Sequence, residues 1–87
     1  MAELTVSVVS ADREVWTGTA TQVVAKTVIG EIGILAGHEP VLAVLSPGEV
    51  RVTEPGGNVI RAHTEEGFFS VQADVVTIVA GVVELAE

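Results

Sequence analysis

Leu4, Val6 and Val8 alternate with Glu3, Thr5 and Ser7 at the start of the chain. A period of two sends successive side chains to opposite sides of an extended backbone, which predicts a strand with one buried face. Ser10, Ala11, Asp12 and Arg13 make a polar turn, and residues 14–17 return as a second strand. The β-branched stretch over 19–28 predicts one long strand or two joined at a bulge. Ile29 and Gly30 turn the chain into a short strand over 31–35. A bend at Gly37, His38, Glu39 and Pro40 follows, because proline forces the residue before it into an extended conformation. Residues 41–45 read as another strand, and Ser46, Pro47, Gly48 and Glu49 match the demands of a type II turn. Alternation resumes over 50–53, and Glu54, Pro55, Gly56, Gly57 and Asn58 are a loop. Strands then follow over 59–64, 67–72 and 75–80, with a last short one over 82–85.

No window carries an amphipathic helix, and no linker or repeat interrupts the pattern. About ten short strands with regular turn signals predict an all-β fold, an antiparallel sandwich or barrel. A length of 87 residues predicts a single domain over 1–87. A domain this small hides only about 60% of the surface that its unfolded chain exposes. Eighteen Val, five Ile and eight Thr make 31 of the 87 residues β-branched, which suits pleated surfaces. So high an apolar content on a small body implies that a partner covers some of it.

Charge narrows the partners. The formal net charge is −8, with Arg13, Lys26, Arg51 and Arg61 as the only cations besides histidine. Phosphate backbones and anionic lipid surfaces repel such a chain, so nucleic acid and direct membrane docking are disfavoured and basic protein surfaces are favoured. The longest apolar run, 75–83, is interrupted by Thr77 and Gly81 and falls well short of the ~20 residues of a membrane span. The start of the chain lacks the basic and apolar regions of a signal peptide. There is no cysteine, hence no disulfide and no thiolate metal site.

Catalytic motifs are wanting. Ser7, Ser10, Ser46 and Ser70 lack a nucleophile-elbow context, and the glycines at 30, 33 and 37 are not followed by the Gly-Lys-Ser/Thr of a phosphate loop. His38, Glu39 and His63 are the best metal candidates, as in a cupin-like enzyme, yet no His-x-His pair occurs. His38 otherwise reads as a bend residue with a local ring hydrogen bond, and His63 as an exposed strand residue. Trp16 reads as core or half-exposed packing. Phe68 and Phe69 point to opposite faces, so one fills the core and the other is a candidate for a partner surface. Val28 and Ile29 flank a turn, where apolar side chains are unexpected. Gly30 and Gly33 flank Glu31, which places its carboxylate on a turn that glycine adopts cheaply.

The segment from Gly30 to Pro40 strongly resembles one found in epsilon subunits of F-type ATP synthases, called delta in mitochondria. Val8-Val9-Ser10-Ala11-Asp12 with Trp16-Thr17-Gly18, Ser46-Pro47-Gly48-Glu49-Val50-Arg51-Val52 and Gly67-Phe68-Phe69-Ser70-Val71 are similar to family strands in the same order, over roughly residues 4–80. Two departures stand out: Ala36 where the family commonly has proline, and Glu66-Gly67 where a double glycine is usual. The resemblance implies a flattened β-sandwich that performs no chemistry, needs no cofactor and links the gamma subunit to the polar loops of the membrane c-ring. It implies c-ring contacts at Val28, Ile29, Gly30, Glu31, Gly33 and Leu42, with Glu31 facing a basic residue. It implies gamma contacts at Ser10, His38, Glu39, Pro40 and Val41. In a bacterium the implied location is the cytoplasmic face of the cell membrane, as a peripheral part of the complex. The family's C-terminal helical hairpin, which binds ATP in some members, has no counterpart in this sequence, so no nucleotide is expected. The competing expectation is a free-standing acidic β-sandwich that binds basic proteins.

Overall fold

The structure, a computed structural model, describes residues 3–11 and 13–86. It contains ten strands and, among the described residues, no helix. They are β1 (Leu4–Ser10), β2 (Glu14–Ala20), β3 (Gln22–Thr27), β4 (Gly30–Leu35), β5 (Val41–Leu45), β6 (Gly48–Thr53), β7 (Val59–Thr64), β8 (Gly67–Gln72), β9 (Val75–Ala80) and β10 (Val83–Ala86).

Hydrogen bonding runs in the order β10, β7, β6, β3, β5, β8, β9, β1, β2, with β4 on the other side of β3. The path folds over itself at β3. Its residues Gln22, Val23 and Val24 pair with β6, whereas Thr27 pairs with Leu45 of β5. The result is a sandwich of two layers, β4, β3, β6, β7 and β10 in one and β5, β8, β9, β1 and β2 in the other. All neighbours are antiparallel except β1 and β9, which run parallel from Thr5 beside Val75 to Ser10 beside Ala80. The stretch over 19–28 is thus two strands broken at Thr21, whose backbone N–H and hydroxyl both donate to the Thr53 carbonyl. A single residue between strands lets the chain leave one layer and enter the other.

The alternation predicted for β1 is realised in full: Leu4, Val6, Val8 and Ser10 are buried and the residues between them are not. Leu4, Val6 and Val8 meet Val23, Ala25, Ile34, Leu45, Val50, Val52, Phe69, Val71, Val76 and Ile78 in one core. A bulge between β1 and β2 sets Val8 opposite Trp16 but Val9 opposite Glu14. The extra residue, Val15, joins Trp16 against the core. Of the Phe68 and Phe69 pair, Phe69 is the buried one. Thr64 carries a buried hydroxyl without a hydrogen-bond partner.

One turn differs from the sequence reading. Gly48 has no left-handed φ, so the 46–49 segment is no type II turn; Gly48 opens β6 instead. A Cβ there would lie 2.9 Å from Lys26 Cδ, so the glycine leaves room for the lysine stem. The β8–β9 hairpin closes on Ala73 and Asp74 with φ of 50° and 63°, two left-handed residues without a glycine. That geometry matches the twist of the strands it joins. The predicted turn at residues 10–13 includes Asp12, which lies outside the described residues; Ser10 and Arg13 are joined across it by a 2.8 Å backbone hydrogen bond.

Candidate docking surface

The β3–β4 hairpin presents its apolar residues outward by construction. Thr27, opposite Gly30 in the register, is buried, and its hydroxyl donates to the Gly30 carbonyl at 2.7 Å while accepting from the Ile29 N–H at 3.3 Å. Val28 and Ile29 keep ordinary negative φ, and the positive φ of 126° falls on Gly30. The turn is therefore tied at its base, and its two tip side chains have no core to enter. They stand 65% and 84% exposed.

That tip continues into a larger apolar surface. The Val28 N–H donates to the Val44 carbonyl, which lays the turn against β5. Val44 pairs with Phe68, Phe68 with Val79, and Val79 with Val9, so four apolar side chains form one row across β5, β8, β9 and β1. Phe68 is 57% exposed and Leu42, two residues from Val44, is 78% exposed. The next row reads Leu42, Ser70, Thr77, Ser7 and Thr17. Phe68 is thus the exposed phenylalanine of the pair. Val9, Val44 and Val79 were not singled out from sequence; the only available signal was their place opposite buried residues in the alternation.

Glu31 sits elsewhere than on a turn. It is the second residue of β4, paired with Lys26, on the outward face of the first layer. Glycine is needed before it, at Gly30, but Gly33 lies in regular strand and faces outward beside Val24. The Glu31 carboxylate is met by Arg51 at 3.3 Å, and Glu49 lies between Arg51 and Arg61 at 3.8 and 4.0 Å. The six ring candidates therefore divide: Val28, Ile29 and Gly30 at the turn, Glu31 and Gly33 on one face, Leu42 on the other.

The gamma candidates are less compact. Gly37, at φ 87°, donates its N–H to Asp74 Oδ1 at 2.7 Å, and the Asp74 carbonyl accepts from the Thr5 N–H. Asp74 so pins the 37–40 bend to the β8–β9 turn and to β1. His38 N–H closes a turn onto the Leu35 carbonyl, and its Nδ1 lies 2.7 Å from the Glu39 carbonyl. A carbonyl only accepts, so Nδ1 carries the proton, in a local bond of the kind expected for a bend residue. His38, Glu39 and Pro40 are exposed and lead into Val41. Ser10 is far from them: it shares a row with Ala80, Gly67 and Leu45, whereas Val41 shares one with Val71, Val76 and Val6. Those rows lie at opposite ends of one sheet. Ser10 is itself buried, its hydroxyl donating to the Arg13 carbonyl at 3.2 Å.

Metal chemistry finds no geometry among the described residues, which hold no group of three His, Asp or Glu able to bind an ion. His63 bonds to Glu65 at 2.9 Å and pairs with Glu49, at the opposite end of the first layer from the Leu35–His38 turn. Of the double-glycine position, only the second residue is sterically demanding. A Cβ on Gly67 would fall within 2.0 Å of the Val79 carbonyl oxygen, whereas Glu66 is exposed.

Comparison with known proteins bears on the family and the fold. Residues 3–86 match the family described as ATP synthase, Delta/Epsilon chain, beta-sandwich domain. The ATP synthase epsilon chain of Micrococcus luteus is 54% identical over 80 residues, covering 92% of this chain and 88% of that one. A chain of the Euglena gracilis mitochondrial ATP synthase, in a structure of OSCP/F1/c-ring, superposes with a TM-score of 0.92 at 26% identity over 98% of this chain. A chain of the Tetrahymena thermophila mitochondrial enzyme, in a structure of the central stalk and c-ring, has the same fold, with a TM-score of 0.73 at 18% identity over 95% of this chain. The present chain spans 54% of the length of the Euglena chain and 66% of the Tetrahymena chain.

Proposed function

This chain belongs to the ATP synthase delta/epsilon family, and on that premise we propose that it is a non-catalytic subunit of the central stalk, docked between the gamma subunit and the polar loops of the c-ring. It turns with both while ion flow drives ATP synthesis, as a peripheral part of the complex at the cytoplasmic face of a bacterial cell membrane. Residues 1–87 act as one unit, since both layers share one core. The ring side is the Val28–Ile29 tip with Gly30, Glu31, Gly33 and Leu42. The gamma side uses His38, Glu39, Pro40 and Val41, with Ser10 as a second, separate point on the same sheet. The mechanical role needs stiffness, and a core closed on all its strands deforms little under load.

The observation that carries the proposal is the apolar tip running into Val44, Leu42 and Phe68. Contiguous apolar surface of this kind is rare on a protein that works alone. Burying Ile29 against a partner is worth about 1.5–3 kcal/mol, or roughly ten- to a hundredfold in affinity. The test is binding of the chain to detergent-solubilised c-ring carrying gamma, with Ile29→Asp and Glu31→Gln variants. Ile29→Asp should weaken binding at least about tenfold with an unchanged melting temperature, since the side chain touches no core. Glu31→Gln should weaken it less, and chiefly at low salt. Full-strength assembly of both variants would refute the docking role, and a wild-type chain that purifies without gamma or ring would point to the free-standing binding module.

A further inference from the structure

Glu31 is not an idle carboxylate waiting for a partner. Its nearest cross-strand neighbour is Lys26, yet among the described residues Lys26 makes no ion pair; its stem lies over Gly48 at the start of β6. The carboxylate is met instead by Arg51, which reaches back from β6 across the whole width of β3. Both side chains are well exposed, 40% for Arg51 and 62% for Glu31. Arg51 has a second acid within reach, Glu49 at 3.8 Å, and Glu49 also lies 4.0 Å from Arg61. Four alternating charges thus lie in a line: Glu31, Arg51, Glu49, Arg61.

We propose that Arg51 is an internal competitor for the Glu31 carboxylate, so that docking exchanges this guanidinium for a cation of the partner. The inference rests on the reading of Glu31 as a docking acid. Its physical basis is simple. A cationic partner that approaches Glu31 meets a site already neutralised, and must displace Arg51 or share the carboxylate with it. Displacement is cheap because Arg51 keeps Glu49 as an alternative, and exposed ion pairs are individually weak. The exchange therefore lowers affinity modestly and flattens its dependence on salt, because screening weakens the pair that breaks as well as the pair that forms. In return the undocked chain presents no unpaired acid at the edge of its apolar tip, which disfavours stray cationic partners.

The test measures binding to the detergent-solubilised c-ring with gamma at low and at high salt, for wild type, Arg51→Gln, Glu31→Gln and the double variant. Arg51→Gln keeps length and polarity and removes the charge. It should bind about two- to fivefold tighter at low salt, with the gain fading as the Debye length shortens. In the Glu31→Gln background the same change should do nothing. A structural role for Arg51 would not produce that dependence on Glu31. Weaker or unchanged binding of Arg51→Gln, with Glu31→Gln still impaired, would overturn the competition alone. A Glu31→Gln variant that binds normally would overturn the docking role of Glu31 and the competition with it.

Discussion

Across the outward face of β4, β3, β6 and β7 the rows read Glu31 and Lys26, then Gly33, Val24, Arg51 and Arg61, with Glu49 beside His63. Across β5, β8, β9 and β1 they read Val44, Phe68, Val79 and Val9, then Leu42, Ser70, Thr77 and Ser7. Three of the four cations of the chain are on the first face. On the second, the strands β5, β8, β9, β1 and β2 bring a single charged side chain outward, Glu14 at one end. Both faces belong to sheets with equally apolar undersides, so the demands of the core do not explain the contrast. The first face carries the charge that keeps exposed strand surface compatible with water. A face with aliphatic and aromatic side chains in register, and hydroxyls as its main polar groups, is suited to contact with protein. The lesson is that one sandwich gathers most of its strand charge on one layer and most of its exposed apolar row on the other, and the two meet at the β3–β4 hairpin, where Glu31 lies beside the Val28–Ile29 tip.

The sharpest way to break this comparison uses adjacent phenylalanines on β8. Phe69→Ala should cost about 3–5 kcal/mol in a denaturant melt, because its side chain is fully buried in the core. Phe68→Ala should cost under about 0.5 kcal/mol in the free chain while weakening assembly with gamma and the c-ring. If Phe68→Ala unfolds the chain, or leaves assembly untouched, the apolar face is not a docking face.

Glycine to alanine offers the second comparison. Gly67→Ala places its Cβ within 2.0 Å of Val79 backbone and 2.6 Å of Ala80, so β8 and β9 must separate. A loss of about 3 kcal/mol is expected, at the upper end for overpacking. Gly33→Ala, on the charged layer, meets nothing nearer than 3.8 Å and should stay within about 0.5 kcal/mol of wild type. Equal melting curves for the two would show that the close approach of β8 and β9 is not as described.

The smallest effect concerns the charged layer itself. Glu49→Gln removes the acid between two arginines, and stability should move by less than about 0.5 kcal/mol, with the difference fading in salt. A large, salt-insensitive loss would mean that the charged face holds the fold together and does more than keep it in solution.

Much of this was legible along the chain. The strand periods, the Glu54 to Asn58 loop, the opposite fates of Phe68 and Phe69 and the oddity of Val28 and Ile29 at a turn all follow from local rules of alternation and turn chemistry. Those rules act over a few residues, so a linear reading reaches them. What it missed depends on neighbours far away in sequence. Gly48 looked like a turn glycine, and the lysine stem that needs the space comes from β3. Asp74 drew no notice in the sequence, and the Gly37 N–H that it accepts belongs to a bend 37 residues earlier. The parallel pairing of β1 with β9, the row from Val44 to Val9 and the pairing of Glu31 with Arg51 instead of Lys26 are likewise products of strand order. Alternation decides which side of a strand a residue takes, but only the closed sandwich decides what stands beside it, because strand order is settled by the collective burial of both sheets.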